Sequence, residues 1–116
     1  TMIFDKNNDL MLITGSPGGS LIPAAILRVI SGVIDFNLDI GQATMLPRVH
    51  KDWPTTGILY ERTLNADSIN GIRKIGHKMT PEHTMGSTQS IHIIDGVNYG
   101  YADLRRPNAS VATQAN

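Results

Sequence analysis

The spacing of apolar positions in this 116-residue chain changes sharply around residue 20. Residues 10–13 form a continuous apolar run, which predicts a short buried strand. After residue 20, apolar side chains recur every three or four positions, as on one face of a helix. They are Ile22, Ile26, Val29, Ile30, Val33 and Ile34. Ser20 is predicted to be the N-cap of this helix, and Pro23 falls in its first turn, where its missing N–H costs little.

Two further helices are predicted downstream. Asp39 is placed to cap the first of them, and Pro47 ends it. Gly76 ends the second at the C′ position, where a left-handed residue is favoured. The apolar faces are formed by Ile40, Ala43 and Leu46 in the first helix and by Ile69, Ile72 and Ile75 in the second.

Strands are predicted at residues 57–63, 87–94 and 97–101. The last two are joined by Asp95-Gly96, a dipeptide typical of tight type I′ hairpins. A loop is predicted to run through His50, Trp53 and Pro54, and its Trp53 is a candidate core or subunit-contact side chain. Residues 107–116 are small and polar without periodicity, which predicts a disordered tail after a single segment that spans residues 1–106.

The connection between the first strand and the first helix has the sequence TGSPGGS at residues 14–20. Two consecutive glycines, Gly18 and Gly19, leave the main chain uncovered, and the helix start adds unpaired N–H donors. A carboxylate, a phosphate or a developing oxyanion would fit there. The segment has neither the Gly-Lys-Ser/Thr of a P-loop nor the glycine order of a dinucleotide-binding turn. The glycines alone are equally compatible with a plain tight connection.

Composition excludes several classes of function. Ten basic and ten acidic residues give no net charge, which argues against nucleic acid or an anionic membrane as a partner. Cysteine is absent, so disulfides, thiolate catalysis and cysteine zinc sites are excluded. The four histidines are scattered without a metal-binding spacing, and we expect no metal. Polar residues interrupt the longest apolar stretch, so it is not expected to span a bilayer.

Four motifs in order give the chain a resemblance to the γ-glutamyltranspeptidases. They are TGSPGGS at 14–20, LPRVH at 46–50 followed by Trp53, GHK at 76–78 and MGSTQSI at 85–91. The resemblance extends from residue 1 to about residue 105 and is to the C-terminal part of the small subunit. It implies an α+β fold, as part of the αββα sandwich of the N-terminal-nucleophile hydrolases, with mainly antiparallel strands.

The resemblance also implies an activity and a site. It places Gly18 and Gly19 at the oxyanion hole, where they bind the reacting carbonyl of the substrate. The implied reaction cleaves the γ-glutamyl amide of glutathione or a related donor through a threonine acyl-enzyme, without a metal or organic cofactor. Water or an amino acid or peptide acceptor then resolves the acyl-enzyme. The rest of the small subunit and the large subunit are the implied partners, and the implied location is periplasmic or secreted.

Some residues leave alternatives open. The family nucleophile lies upstream of the glycine motif, so the isolated chain is expected to be inactive and to self-associate through exposed apolar surface. Thr1 could serve as an N-terminal nucleophile with its own amine as base, or could be an ordinary strand residue. Residues 101–106 stand where the family has Asp-Pro-Arg. A standalone noncatalytic anion-binding or assembly module, or a related acylase, is the competing hypothesis.

Two further groups have both a functional and a structural interpretation. Arg48 could bind an acidic group, or it could bond the carbonyl groups at the end of the preceding helix. The polar run at residues 87–90 could orient the glycine turn, or could simply hydrogen-bond to loop backbone.

Overall fold

A computed structural model describes residues 1–54 and 57–114 of the chain and gives an α+β fold. The elements in chain order are β1 (Met2–Phe4), β2 (Leu10–Gly15), a 3-10 turn (Gly19–Leu21), α1 (Ile22–Ile34), α2 (Ile40–Met45), β3 (Val49–His50), β4 (Gly57–Glu61), α3 (Ala66–Lys74), β5 (Lys78–Glu82), β6 (Gln89–Ile94) and β7 (Val97–Ala102). No helix in this described part of the chain is long and apolar enough to cross a membrane.

The described strands form two sheets. One has four strands in the order β1-β2-β6-β7, and each neighbouring pair is antiparallel. The other has three strands in the order β3-β4-β5, of which β4 and β5 are parallel. A parallel pair needs a crossover rather than a hairpin, and α3 supplies it here.

The main core lies between the two N-terminal helices and the four-stranded sheet. It consists of the buried side chains Leu12, Val29, Val33, Ile40 and Ala43. Gly32 allows α1 and α2 to approach closely, because a Cβ at this position would lie only 2.8 Å from the Cβ of Ala43. The helix predicted for α1 is therefore confirmed, with Val29 and Val33 on its buried face. Ile34, which was predicted to share that face, is 49% exposed at the C-terminal end of the helix.

Three predictions about the ends of elements are confirmed. Asp39 caps α2 in a capping box, in which Gln42 N–H donates to its carboxylate at 2.8 Å. Gly76 follows the C-cap residue of α3 with φ of 97°. Asp95 and Gly96 both have positive φ, 49° and 77°, as a type I′ turn between β6 and β7 requires.

Two predictions about elements are wrong, and one further element was not predicted. Ser20 does not cap α1, because it lies inside the 3-10 turn and its hydroxyl donates to Asp52. Residues 49–50 form β3 rather than loop, and residues 78–82 form β5, which was not predicted. The first is too short for a periodic signal. The second contains Pro81, which lies here in an edge strand of the three-stranded sheet, and it has a charged residue at each end, so its sequence does not resemble a typical strand.

The structure also locates the solitary tryptophan and the C-terminal residues. Trp53 is 93% exposed, so it is not a core residue, and a subunit contact stays a prediction. The predicted strand at 57–63 ends at Glu61. In the described part of the predicted tail, Val111 lies over Gly100 of β7, where a Cβ would be 2.9 Å from the Val111 side chain. The division of the chain at residue 106 stays a prediction.

Candidate functional site: an exposed glycine turn

The residues between β2 and α1 form a turn with uncovered main-chain donors. We call residues 16–19 the glycine turn. Gly18 has φ of 142° and ψ of 14°, and Gly19 has φ of 58°, so both adopt conformations that L-residues with a side chain rarely adopt. Leu21 N–H donates to Gly18 O at 3.1 Å and closes the 3-10 turn that follows.

The N–H groups of this turn are available to a ligand. Among the described residues, no group accepts a hydrogen bond from the N–H of Gly18 or Gly19. A Cβ at Gly19 would meet nothing within 4 Å, so the space beside this residue is open. Two consecutive free donors at the start of a helical segment can hold a negatively charged oxygen.

A buried arginine contacts the segment next to Gly86. Arg48 is 1% exposed, and its Nη2 atom lies 2.7 Å from Oδ2 of Asp103. The same nitrogen donates to Thr88 Oγ1 at 3.1 Å and to Thr44 O at 3.3 Å, and Nη1 donates to Met85 O. The interpretation that Arg48 bonds helix-end carbonyls is thus confirmed, and its burial leaves no surface for an acidic ligand.

A second ion pair lies against the first. Arg105 Nε and Nη2 donate to the two carboxylate oxygens of Glu61, each at 2.7 Å. Arg105 Nη1 donates to Asp103 Oδ1 at 3.1 Å, which joins the two pairs. We call Arg48, Glu61, Asp103 and Arg105 the ionic network. Because Glu61 ends β4 and Asp103 follows β7, the network ties the two sheets together.

The network shifts the pKa values of its members. Burial opposes ionisation of Asp103, but the N–H groups of Thr88 and Arg105 and the Arg48 guanidinium outweigh it and lower the pKa of Asp103. Burial lowers the pKa of Arg48, and the neighbouring charge of Arg105 adds to the effect. Burial acts in the same direction on Arg105, yet Glu61 outweighs it and raises the pKa of Arg105.

Sequence reasoning missed most of this network. Asp103 and Arg105 lie in the segment where the resemblance departs from Asp-Pro-Arg, and both nevertheless take part in buried ion pairs. Glu61 lies in the predicted strand at 57–63, directly after the apolar residues Ile58, Leu59 and Tyr60. This position is only a weak signal, because the need for a partner follows from the burial of Glu61, which the sequence does not show.

The polar run at residues 87–90 has the role of bonding to neighbouring segments. Ser87 donates its backbone N–H to Ser16 Oγ at 2.9 Å, beside the glycine turn. The hydroxyl of Thr88 faces Arg48, and the hydroxyl of Ser90 lies 2.8 Å from that of Thr14 on the adjacent strand. Only the Ser87 contact reaches the turn itself.

The remaining polar candidates do not form a metal centre. His50 Nε2 lies 2.8 Å from Asp52 Oδ1, and Asp52 Oδ2 accepts from Ser20 at 3.4 Å. Within residues 1–54 and 57–114, no group of three His, Cys, Asp or Glu side chains could hold a metal ion. Thr1 pairs through its backbone with Thr14, at 3.0 Å in both directions, as an ordinary strand residue does.

The structural comparisons define the class. A γ-glutamyltranspeptidase mutant from Helicobacter pylori superposes with a TM-score of 0.86 and 36% identity, over 91% of this chain and 59% of that one. Cephalosporin acylase from Bacillus halodurans superposes with a TM-score of 0.87 and 25% identity, over 96% of this chain and 21% of that one. The predicted α+β fold of the N-terminal-nucleophile hydrolases is therefore confirmed.

The sequence comparisons define the family. The profile described as gamma-glutamyltranspeptidase matches residues 1–113. The chain is 37% identical over 101 residues to the glutathione hydrolase proenzyme of Escherichia coli strain K12. It belongs to the γ-glutamyltranspeptidase family. The match covers 86% of this chain and 17% of the E. coli protein, so the chain spans less than a fifth of that relative's length.

Proposed function

We propose that this chain supplies the oxyanion hole of a γ-glutamyltransferase and glutathione hydrolase. The observation that carries the proposal is the pair of N–H groups on Gly18 and Gly19, for which residues 1–54 and 57–114 offer no acceptor, together with the open space beside Gly19. Preorganised donors of this kind stabilise the charge that develops on a carbonyl oxygen during acyl transfer. Gly18 and Gly19 are accordingly the proposed catalytic and substrate-binding residues.

The proposed reaction proceeds in two steps. A threonine hydroxyl from the rest of the small subunit attacks the γ-carbonyl carbon of the donor, and the carbonyl oxygen becomes an oxyanion between the two glycine N–H groups. The C–N bond of the γ-amide then breaks, and the amine leaves with a proton. Water or the amino group of an acceptor then attacks the resulting ester, and the C–O bond to threonine breaks. The threonine oxygen takes up the proton that the attacking group loses, and glutamate or a new γ-glutamyl compound is released.

The family favours a γ-glutamyl donor over other acyl donors. The 37% identical relative is named for glutathione hydrolysis, whereas the cephalosporin acylase is 25% identical. Glutathione or a related γ-glutamyl compound is therefore the proposed donor, and a cephalosporin-type acylase is the alternative. The proposed partners are the remainder of the small subunit and the large subunit, in a periplasmic or secreted enzyme.

The test replaces a glycine of the turn in the full-length protein. Gly19→Ala forces a side chain at φ of 58°, and we expect kcat for a chromogenic γ-glutamyl anilide to fall on the order of 10²-fold as the donors are displaced. Gly96→Ala is the matched control, because Gly96 has φ of 77° and equally open space but lies in the β6–β7 hairpin.

The two variants separate catalysis from backbone strain. Both should lose a similar amount of stability, and only Gly19→Ala should lose turnover. Equal kcat values for the two variants would refute the oxyanion-hole assignment. A protein that binds γ-glutamyl compounds but never turns them over would support the noncatalytic alternative instead.

A further inference from the structure

One contact connects the glycine turn to the interior of the protein. Ser16 Oγ accepts the backbone N–H of Ser87 at 2.9 Å and donates to Pro17 O at 2.7 Å. A single hydroxyl therefore fixes the carbonyl just before Gly18 and ties it to a segment more than 60 residues away. Ser16 is only half-buried, so its side chain is not part of the hydrophobic core.

Hydrogen bonds to the ionic network hold the segment that Ser16 contacts. We call residues 85–87 the anchor segment. Met85 N–H donates to Glu61 Oε1 at 2.9 Å, and Met85 O accepts from Arg48 Nη1. On the other side, Thr88 N–H donates to Asp103 Oδ2 at 3.0 Å. Members of the ionic network thus hold both flanks of Gly86.

Gly86 brings the anchor segment into direct contact with the turn. It has φ of 70°, and a Cβ on it would lie 2.6 Å from Ser16 Oγ and 3.3 Å from Pro17 O. A Cβ on Gly18 would in turn lie 3.4 Å from Gly86 Cα. The two backbones therefore touch without side chains between them, and a displacement of one displaces the other.

We propose that Ser16 is a positioning residue for the oxyanion hole. Its hydroxyl transmits the fixed geometry of the ionic network, through the anchor segment, to the N–H groups of Gly18 and Gly19. The inference rests on the proposed function of those two glycines. The physical reason is that a donor contributes to transition-state stabilisation only when it is held in the productive direction, and a turn with free donors has few bonds of its own to hold it.

The test removes the hydroxyl in the full-length enzyme. For Ser16→Ala we expect kcat for a γ-glutamyl anilide to fall about tenfold, less than the loss of a whole donor, with KM changed by less than about twofold. Affinity for the boronic acid analogue of glutamate, which forms a tetrahedral adduct with a threonine hydroxyl, should fall by the same factor as kcat/KM. Ser16→Thr keeps the hydroxyl and should restore most of the activity.

Ser31→Ala is the matched control. The Ser31 hydroxyl donates to Asp35 Oδ2 at 2.7 Å on the exposed end of α1, so its removal deletes one hydrogen bond far from the turn. We expect wild-type kcat for this variant. A merely structural role for Ser16 would lower thermal stability without changing the ratio of the boronic acid affinity to the affinity for glutamate, and that outcome would overturn the inference.

A double-mutant cycle with Gly19→Ala keeps the two proposals apart. If Ser16 acts through Gly19 N–H, the Ser16→Ala effect should largely vanish when Gly19→Ala is already present. If Gly19→Ala alone leaves kcat unchanged, the oxyanion-hole proposal fails first. Suppose instead that Gly19→Ala lowers kcat. If Ser16→Ala then has no effect, or lowers kcat by the same factor with and without Gly19→Ala, only the positioning role of Ser16 is wrong.

Discussion

The glycine turn and the ionic network differ in whether their polar groups have hydrogen-bond partners. In the turn, the N–H groups of Gly18 and Gly19 have no acceptor among the described residues, and the space beside Gly19 is open. In the network, Arg48 and Asp103 are almost fully buried, and their charged groups are bonded to each other and to surrounding backbone. The exception is Arg48 Nε, which has no hydrogen-bond partner among the described residues. Free donors are preorganised for a ligand when other bonds fix the backbone that carries them.

The difference also separates two kinds of mutational effect. We expect residues of the network to determine whether the two sheets stay together, and residues of the turn to determine what the assembled site binds. The anchor segment lies between them and should show both effects. The predictions below test this division, beginning with the largest change in stability.

Removing one charge from the network should be strongly destabilising. Asp103→Asn leaves the Arg48 guanidinium buried without its partner, which typically costs about 3–5 kcal/mol of unfolding free energy. The measurement is denaturant unfolding of the full-length protein. Asp67→Asn is the control, because Asp67 lies in the exposed first turn of α3 and its loss should cost much less. Equal unfolding free energies for the two variants would contradict the role given to the network.

Gly86→Ala should be more destabilising than Gly19→Ala, although both glycines have positive φ. At Gly19 the added methyl meets open space, so backbone strain of about 1–2 kcal/mol is the whole cost. At Gly86 the methyl also collides with Ser16 Oγ and Ala25 Cβ, and overpacking adds about 1–3 kcal/mol. Thermal unfolding of both variants checks the order. A reversed order would mean that the turn and the anchor segment do not touch as described.

The network should also make the unfolding free energy depend on pH in the acidic range. The pKa of Asp103 in the folded protein is lower than its ordinary value of 3.8, so the unfolded chain binds the proton more readily. The stabilisation from this carboxylate is fully present above its ordinary pKa and is lost as pH falls through the lower folded value. Its contribution to the slope is at most about 1.4 kcal/mol per pH unit.

Unfolding free energies measured from pH 6 down to pH 2 would check this dependence. The unfolding free energy should fall less steeply with decreasing pH in Asp103→Asn than in the wild type. Identical slopes in the two proteins would contradict the lowered pKa of Asp103. Variants of the glycine turn, which contains no titratable group, should keep the wild-type slope.

The smallest expected loss of stability comes from removing a helix cap that lies outside both regions. Asp39→Ala removes the capping box of α2 and should cost about 1 kcal/mol of unfolding free energy. Because Asp39 contacts neither region, kcat should remain that of the wild type. A loss of activity as large as that of Ser16→Ala would show that small losses of stability alone disturb the turn.

Much of the local structure was predictable from sequence. The strand, glycine turn and helix at residues 10–34, the cap at Asp39 and the hairpin at Asp95-Gly96 each depend on residues within a few positions of one another. Two short strands, β3 and β5, were not predicted, and the reasons are local as well. β3 has only two residues, and β5 lacks an alternating apolar pattern, so neither carried a signal.

The sequence by itself determined the position of the glycine turn and of the strand and helix beside it, because side-chain periodicity and turn chemistry depend on residues close together in the chain. The resemblance carried by four motifs in order implied the family and the α+β class. The tertiary structure decided that Arg48 meets Asp103, that Glu61 meets Arg105 and that Ser87 reaches Ser16, contacts that join residues 44 to 71 positions apart. Such contacts depend on strand order and sheet packing. No local pattern specifies which of many charged or hydroxyl side chains will be brought together in the interior.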